Sequence, residues 1–221
     1  MDALHSEFVK EGDLAFDIGA HIGDRTASFR RLGARVVALE PQPRVFRALR
    51  LIHGRDNGCV LHQAAVGKQI GSMEMSLNTQ NPTVSTLSPQ FIAAAETADG
   101  WHGQVWDEKI AVDVTTLDTL VAEYGQPDFV KIDVEGHEHD VLTGLSVPLK
   151  ALSFEFTTMQ RSVACSCLSR LNTLGPYVFN ISFGEEHRLQ LADWVGPTDM
   201  KAIIEALPSA TNSGDVFAKL G

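Results

Sequence analysis

The sequence predicts a doubly wound α/β fold, and three observations carry the prediction. Short, almost wholly apolar runs recur along the chain, as expected of strands covered on both faces by helices. Helix-forming stretches alternate with them, which favours a mostly parallel sheet. The first run, Leu14 to Ile18, passes through a glycine turn into a helix, the arrangement that opens nucleotide-binding α/β sheets.

In chain order, Leu14 to Ile18 is the first strand, and Asp24 to Leu32 a helix with Gly33 where a C-terminal cap belongs. Arg35 to Leu39 is the second strand, followed by a helix from Pro43 to Ile52 with proline in its first turn. Cys59 to Ala64 reads as the third strand, Phe129 to Val134 as the fourth, Leu152 to Phe156 as the fifth, Tyr177 to Phe183 as the sixth and Val216 to Leu220 as the last. The first and fourth strands are expected to flank the crevice where strand order reverses.

The segment from residue 67 to 116 breaks the alternation. Ser72 to Leu77 and Lys109 to Val114 alternate polar and apolar residues, the pattern of half-exposed antiparallel strands. The long polar, then Ala-rich, then aromatic stretch between them is a candidate lid over the substrate, or a surface excursion without a role.

At 221 residues and 44% hydrophobic, the chain can bury a full core, and a single domain over residues 1 to 221 is the simplest expectation. A net charge of −10, with 18 scattered Lys and Arg, argues against a nucleic-acid partner. No apolar run reaches the length of a membrane span, and MDALHSEFVKEGD has no signal-peptide pattern, so a cytoplasmic protein with no membrane partner is expected. Cys59, Cys165 and Cys167 are too few for a disulfide framework and are expected to be free.

Chemistry concentrates at two places. In LAFDIGAHIG, Asp17, Gly19 and Gly23 give D-x-G-x-x-x-G rather than the dinucleotide fingerprint G-x-G-x-x-G. His21 stands where a side chain crowds a pyrophosphate, and Asp17 puts negative charge where that anion would lie. The turn is expected to leave backbone N–H groups free for a carboxylate or phosphate. An amino-acid tail with an ammonium group tolerates the aspartate, and S-adenosylmethionine has such a tail. Glu40, ending the second strand in RVVALEP, can grip the two hydroxyls of a ribose. A nicotinamide-dependent oxidoreductase is the alternative on the same strand, turn and helix, and a catalytically silent binding module a third reading.

The second place is DFVKIDVEGHEHD, Asp128 to Asp140. Asp133, Glu135 and His137 fall at or past the carboxyl end of a strand, where open α/β sheets bind ligands. His137 is the candidate general base, since an imidazole titrates near neutrality. A metal site built from His137, Glu138, His139 and nearby acids is a second reading, without a fixed helical spacing to support it. Acids in a first helical turn, at the positive end of the dipole, are the third, favoured for Glu138, His139 and Asp140.

With DIGAHIGD, ALEP, KIDVEGHE and SGDVFA all present, the chain resembles the FkbM family of S-adenosylmethionine-dependent methyltransferases over most of residues 11 to 220. The resemblance implies a class I, Rossmann-like methyltransferase with a seven-stranded, mostly parallel sheet, an antiparallel strand near one edge, and hydroxyl groups of small metabolites or sugars as acceptors. It places Asp17, Gly19, Ala20, His21 and Gly23 in the cofactor loop, Glu40 on the ribose, Ala64 and Ala65 near the adenine, and Asp133 and Val134 beside the methionine part. NPTVSTL, Asn81 to Leu87, resembles a hydroxyl-bearing family stretch, with Pro82 and Val84 where glycine or serine is expected. The expected partner is a small hydroxylated molecule. His137, Glu135 and Asp133 stand as catalytic candidates on position, and no metal is assigned.

Overall fold

A computed structural model describes residues Met1–Gly221. In chain order its elements are α1 (Asp2–His5), β1 (Leu14–Ile18), α2 (Asp24–Arg31), β2 (Arg35–Leu39), α3 (Pro43–His53), β3 (Cys59–His62), β4 (Ala65–Val66), β5 (Gly71–Leu77), α4 (Pro89–Ala95), β6 (Glu108–Thr115), α5 (Leu117–Tyr124), β7 (Phe129–Ile132), α6 (Glu138–Thr143), β8 (Ala151–Thr157), α7 (Arg161–Leu174), β9 (Tyr177–Phe183), α8 (Pro197–Ala206) and β10 (Ser213–Leu220). Seven strands form one sheet in the order β3-β2-β1-β7-β8-β10-β9. β10 runs antiparallel to both β8 and β9, and the other pairings in this sheet are parallel.

Alternating side chains divide the sheet between two cores. Phe16, Ile18, Val37, Leu39, Val130 and Ile132 pack with α5, α6, α7 and α8 on one face. Ala15, Val36, Ala38 and Phe129 pack with Phe29 of α2 and Leu49 of α3 on the other. β1 and β7 are buried along their whole length, the signature of strands covered on both sides. β1 and β7 are also neighbours, and the strand order reverses between them, the switch point expected from the sequence.

The insertion after β3 builds a second, three-stranded sheet. β5 and β6 pair antiparallel from Gly71 opposite Val114 to Leu77 opposite Glu108, and β4 lies parallel along β6. The Ala-rich stretch is α4, whose Ser88 hydroxyl caps the Phe91 N–H at 3.2 Å. Several strand ends differ from the sequence reading: the last strand begins at Ser213 rather than Val216, the fifth and the two insertion strands gain a residue at one or both ends, and two differences bear on the site. The third strand stops at His62, and Ala65 opens β4 of the second sheet; the fourth stops at Ile132, because Asp133 and Val134 already belong to the turn. No helix is long and apolar enough to cross a membrane.

Candidate cofactor and acceptor site

A cavity of about 370 Å³ opens over the carboxyl ends of β1, β2 and β7. Its floor is the turn after β1. Gly19 has φ 82° and a Cβ there would strike the backbone carbonyl of Asp133, so this position admits only glycine. Gly23, at φ 97°, faces the His53 ring, which a Cβ there would strike. His21 also takes a left-handed φ, 50°.

Four N–H groups of the turn bond internally, while those of Ile22 and of Asp24, Arg25 and Thr26 in the first turn of α2 have no protein acceptor, as expected of a helix N-terminus. The N–H groups of Gly19 and Ala20 both donate to the Leu39 carbonyl, at 3.0 and 2.9 Å, and that of Gly23 donates to Ala20. The His21 N–H donates to Glu40 Oε2 at 3.1 Å. Asp17 lies beneath the turn, 1% exposed, accepting the Thr26 hydroxyl at 2.6 Å; burial pushes its carboxyl up.

Glu40 forms the next wall. It is 3% exposed, its second oxygen accepts the Gln42 N–H at 2.8 Å, and burial pushes it up to about 7 against those two backbone donors. Ala64 and Ala65 line the cavity although they are not in the third strand. Beside them the insertion contributes Met75, Thr83, Ser85 and Leu87. Pro82 and Val84 act through their carbonyls instead, accepting from Gln42 Nε2 at 3.1 Å and Trp106 Nε1 at 2.9 Å, so they fasten the segment.

The far wall is acidic. Asp133, Val134 and Glu135 line it, joined by Glu155 of β8 and by Lys131. Carboxylate oxygens of Asp133, Glu135 and Glu155 lie within 4.8 Å of one another, a spacing that could bracket a cation. Lys131 is buried, and its Nζ stands 3.1 Å from Asp133 Oδ2 and 2.5 Å from Asp215 Oδ1. Burial works against the Asp133 carboxylate, but Lys131 and Arg25 outweigh it and hold it below its ordinary value. Glu135 and Glu155 are pushed well above theirs, first by burial and then by the neighbouring Asp133. Arg25, on α2, is engaged by Glu185 at 3.0 Å.

His137 does not line this cavity. It is 5% exposed at the start of α6, with Nδ1 3.3 Å from Asp140 Oδ2, and it borders a separate cavity of about 360 Å³ with Gly136 and Gln160. Burial lowers its proton affinity, so the position proposed for the base is that of a neutral, packed imidazole. Glu138 is a loop organiser: 2% exposed, it accepts the N–H groups of Val134 and Gly136 at 3.2 and 3.1 Å. Trp101, Trp106 and Trp194 do not line the cavity either; Trp101 and Trp106 pack edge-on against Phe91 and Trp194 against Phe8.

Lys131, Glu155, Arg25 and Glu185 are cavity residues that the sequence reading did not single out. Lys131 and Glu155 carried a signal: each is a charge interrupting an otherwise apolar strand, FVKI and ALSFEFT. A charge in such a run must find a partner or a ligand.

Comparison with known proteins agrees with this geometry. The chain is 29% identical over 159 residues to the hexuronic acid methyltransferase AglP of Haloferax volcanii, covering 71% of this chain and 60% of that one. It is 32% identical over 163 residues to the 31-O-demethyl-FK506 methyltransferase FkbM of Streptomyces tacrolimicus, covering 64% and 62%. The chain thus spans about 60% of the length of the first relative and 62% of the second. In fold it is similar to precorrin-6y C5,15-methyltransferase from Geobacter metallireducens, with a TM-score of 0.52, 12% identity, and 99% and 86% of the two chains covered. The methyltransferase FkbM domain model matches residues 17–168, and the chain belongs to that family.

Proposed function

We propose that the chain transfers a methyl group from S-adenosylmethionine to a hydroxyl of a small, uncharged, polyhydroxylated acceptor. The observation that carries this reading is the charge of the cavity: seven carboxyl side chains line it against two cations, Arg25 and Lys131. A sulfonium with an ammonium tail suits such a wall, whereas a pyrophosphate does not. The oxidoreductase alternative would have to set a pyrophosphate against this acidic lining.

The residues present fit the cofactor. Glu40 keeps a free lone pair on each oxygen for the ribose hydroxyls, Ala64 and Ala65 leave room beside the base, and Asp133 faces the ammonium tail. S-adenosylmethionine, when bound, supplies the electrophilic methyl group. Glu135 and Glu155 line the same wall as Asp133, and the positive charge that the cofactor would bring there would favour their ionised forms. Once ionised, Glu155 would take the acceptor hydroxyl proton, while the walls would hold oxygen and methyl in line; positioning would contribute most of the acceleration. Thr83 and Ser85, from the insertion, offer hydroxyl partners to an acceptor.

The relatives' names point to a hexuronic acid and a demethylated FK506 as acceptors. An uncharged acceptor fits this cavity better than a uronate, because both of its cations already have carboxylate partners. Calorimetric titration with S-adenosylhomocysteine tests the cofactor claim, and a folded sample that binds NAD in preference would overturn it. Methyl transfer to a panel of neutral glycosides and polyols tests the activity.

A further inference from the structure

Lys131 is the one fully buried cation that lines the cavity, 2% exposed, on the central strand β7. It faces two carboxylates of different standing. Asp133 lines the cavity, whereas Asp215 sits on β10 outside it, opposite Glu155 in the β8–β10 register. Nζ is 3.1 Å from the former and 2.5 Å from the latter. Around them stand Arg25 from α2, Asp17 from β1, and Glu135 and Glu155.

One cation shared by two carboxylates leaves a single negative charge. The tighter contact to Asp215 draws the lysine away from the cavity, so that surplus charge is presented by Asp133. A buried carboxylate with no cation nearby would instead take up a proton and lose its hold on an ammonium. We propose that Lys131, held by Asp215, is a positioning residue that fixes Asp133 as the anionic anchor for the amino-acid tail of the cofactor. This rests on the S-adenosylmethionine reading above. It assigns Asp215, which touches neither cofactor nor acceptor, a measurable influence on tail binding.

The test compares two probes that share an adenosine and differ in the tail: S-adenosylhomocysteine, which has it, and 5′-methylthioadenosine, which does not. Calorimetry on wild type, Lys131→Arg, Lys131→Met and Asp215→Asn gives both affinities. Lys131→Met is expected to weaken S-adenosylhomocysteine by tenfold or more while methylthioadenosine stays within about twofold, and Lys131→Arg to restore most of the loss. Asp215→Asn, the milder change should Lys131→Met fail to fold, is expected to weaken only the tailed probe, by about threefold to tenfold, because the lysine then neutralises Asp133 alone. Equal weakening of both probes, or no change in either, overturns the assignment. Wild-type protein that binds neither probe overturns the cofactor reading itself, a result distinct from loss of tail selectivity.

Discussion

The Glu40 carboxylate accepts the backbone N–H of His21 at 3.1 Å, bonding the end of β2 to the glycine turn after β1. The residue expected to grip the ribose therefore also holds the floor of the site. Its carboxyl is pushed up to about 7 by burial, so the folded protein keeps that proton more tightly than the unfolded chain does. The sign follows: Glu40 costs stability progressively as pH rises from about 4.5 to about 7, and the ionised form, with more acceptor capacity, binds ribose hydroxyls better. S-adenosylhomocysteine affinity is expected to rise between pH 6 and pH 8. In Glu40→Gln it should fall about tenfold at pH 8 and lose most of that slope. Titration calorimetry at three pH values checks both.

Gly19→Ala should unfold the site rather than tune it. The new Cβ meets the Asp133 carbonyl, and the left-handed φ of 82° adds about 1–2 kcal/mol of its own. Neither side can retreat, because the Asp133 N–H is bonded to Ile18 at 2.9 Å and the Gly19 N–H to Leu39 at 3.0 Å. A loss of about 3 kcal/mol or more is expected, read as a fall of about 6–12 °C in Tm.

The strand, turn and helix that opens the sheet is legible in the sequence because its cause is local. Leu14 to Ile18 is apolar apart from Asp17, and glycines stand at two of the positions where φ is positive. The parallel order and the antiparallel pair of the insertion follow from periodicity in the same way. The acidic wall was harder to find because it is assembled across strands. Glu155 reaches Asp133 from β8, and Asp215 reaches Lys131 from β10, 84 residues away in the chain. His137 shows the converse. Two residues after Glu135 it is equally well placed by sequence, but the left-handed Glu135 and Gly136 turn the chain, and the buried imidazole borders the separate cavity with Gly136 and Gln160.

Exchanging the two candidate bases separates chemistry from packing. Glu155→Gln keeps shape and hydrogen bonding but cannot take a proton, so kcat is expected to fall about a hundredfold with cofactor affinity within threefold. His137→Asn is expected to leave kcat within about threefold and to lower Tm instead, since it disturbs a buried ring at the start of α6. A pattern reversed between the two variants would return the base to His137.

The acceptor's charge gives the last prediction. A carboxylate entering the cavity finds Lys131 held by two acids and Arg25 engaged by Glu185, so it must pay for desolvation without a free partner. Among acceptors matched except for charge, a neutral glycoside should be methylated with kcat/KM at least tenfold above its uronate. The Arg25 pair is the easier of the two to release, because the Glu185 side chain is 69% exposed and a pair so open to water is weak. Glu185→Gln frees the Arg25 guanidinium toward the cavity, and the preference for the neutral acceptor should shrink by about threefold or more while the neutral rate holds. Equal rates for the two acceptors in the wild-type protein, measured by S-adenosylhomocysteine release, would show that charge in this wall does not select the acceptor.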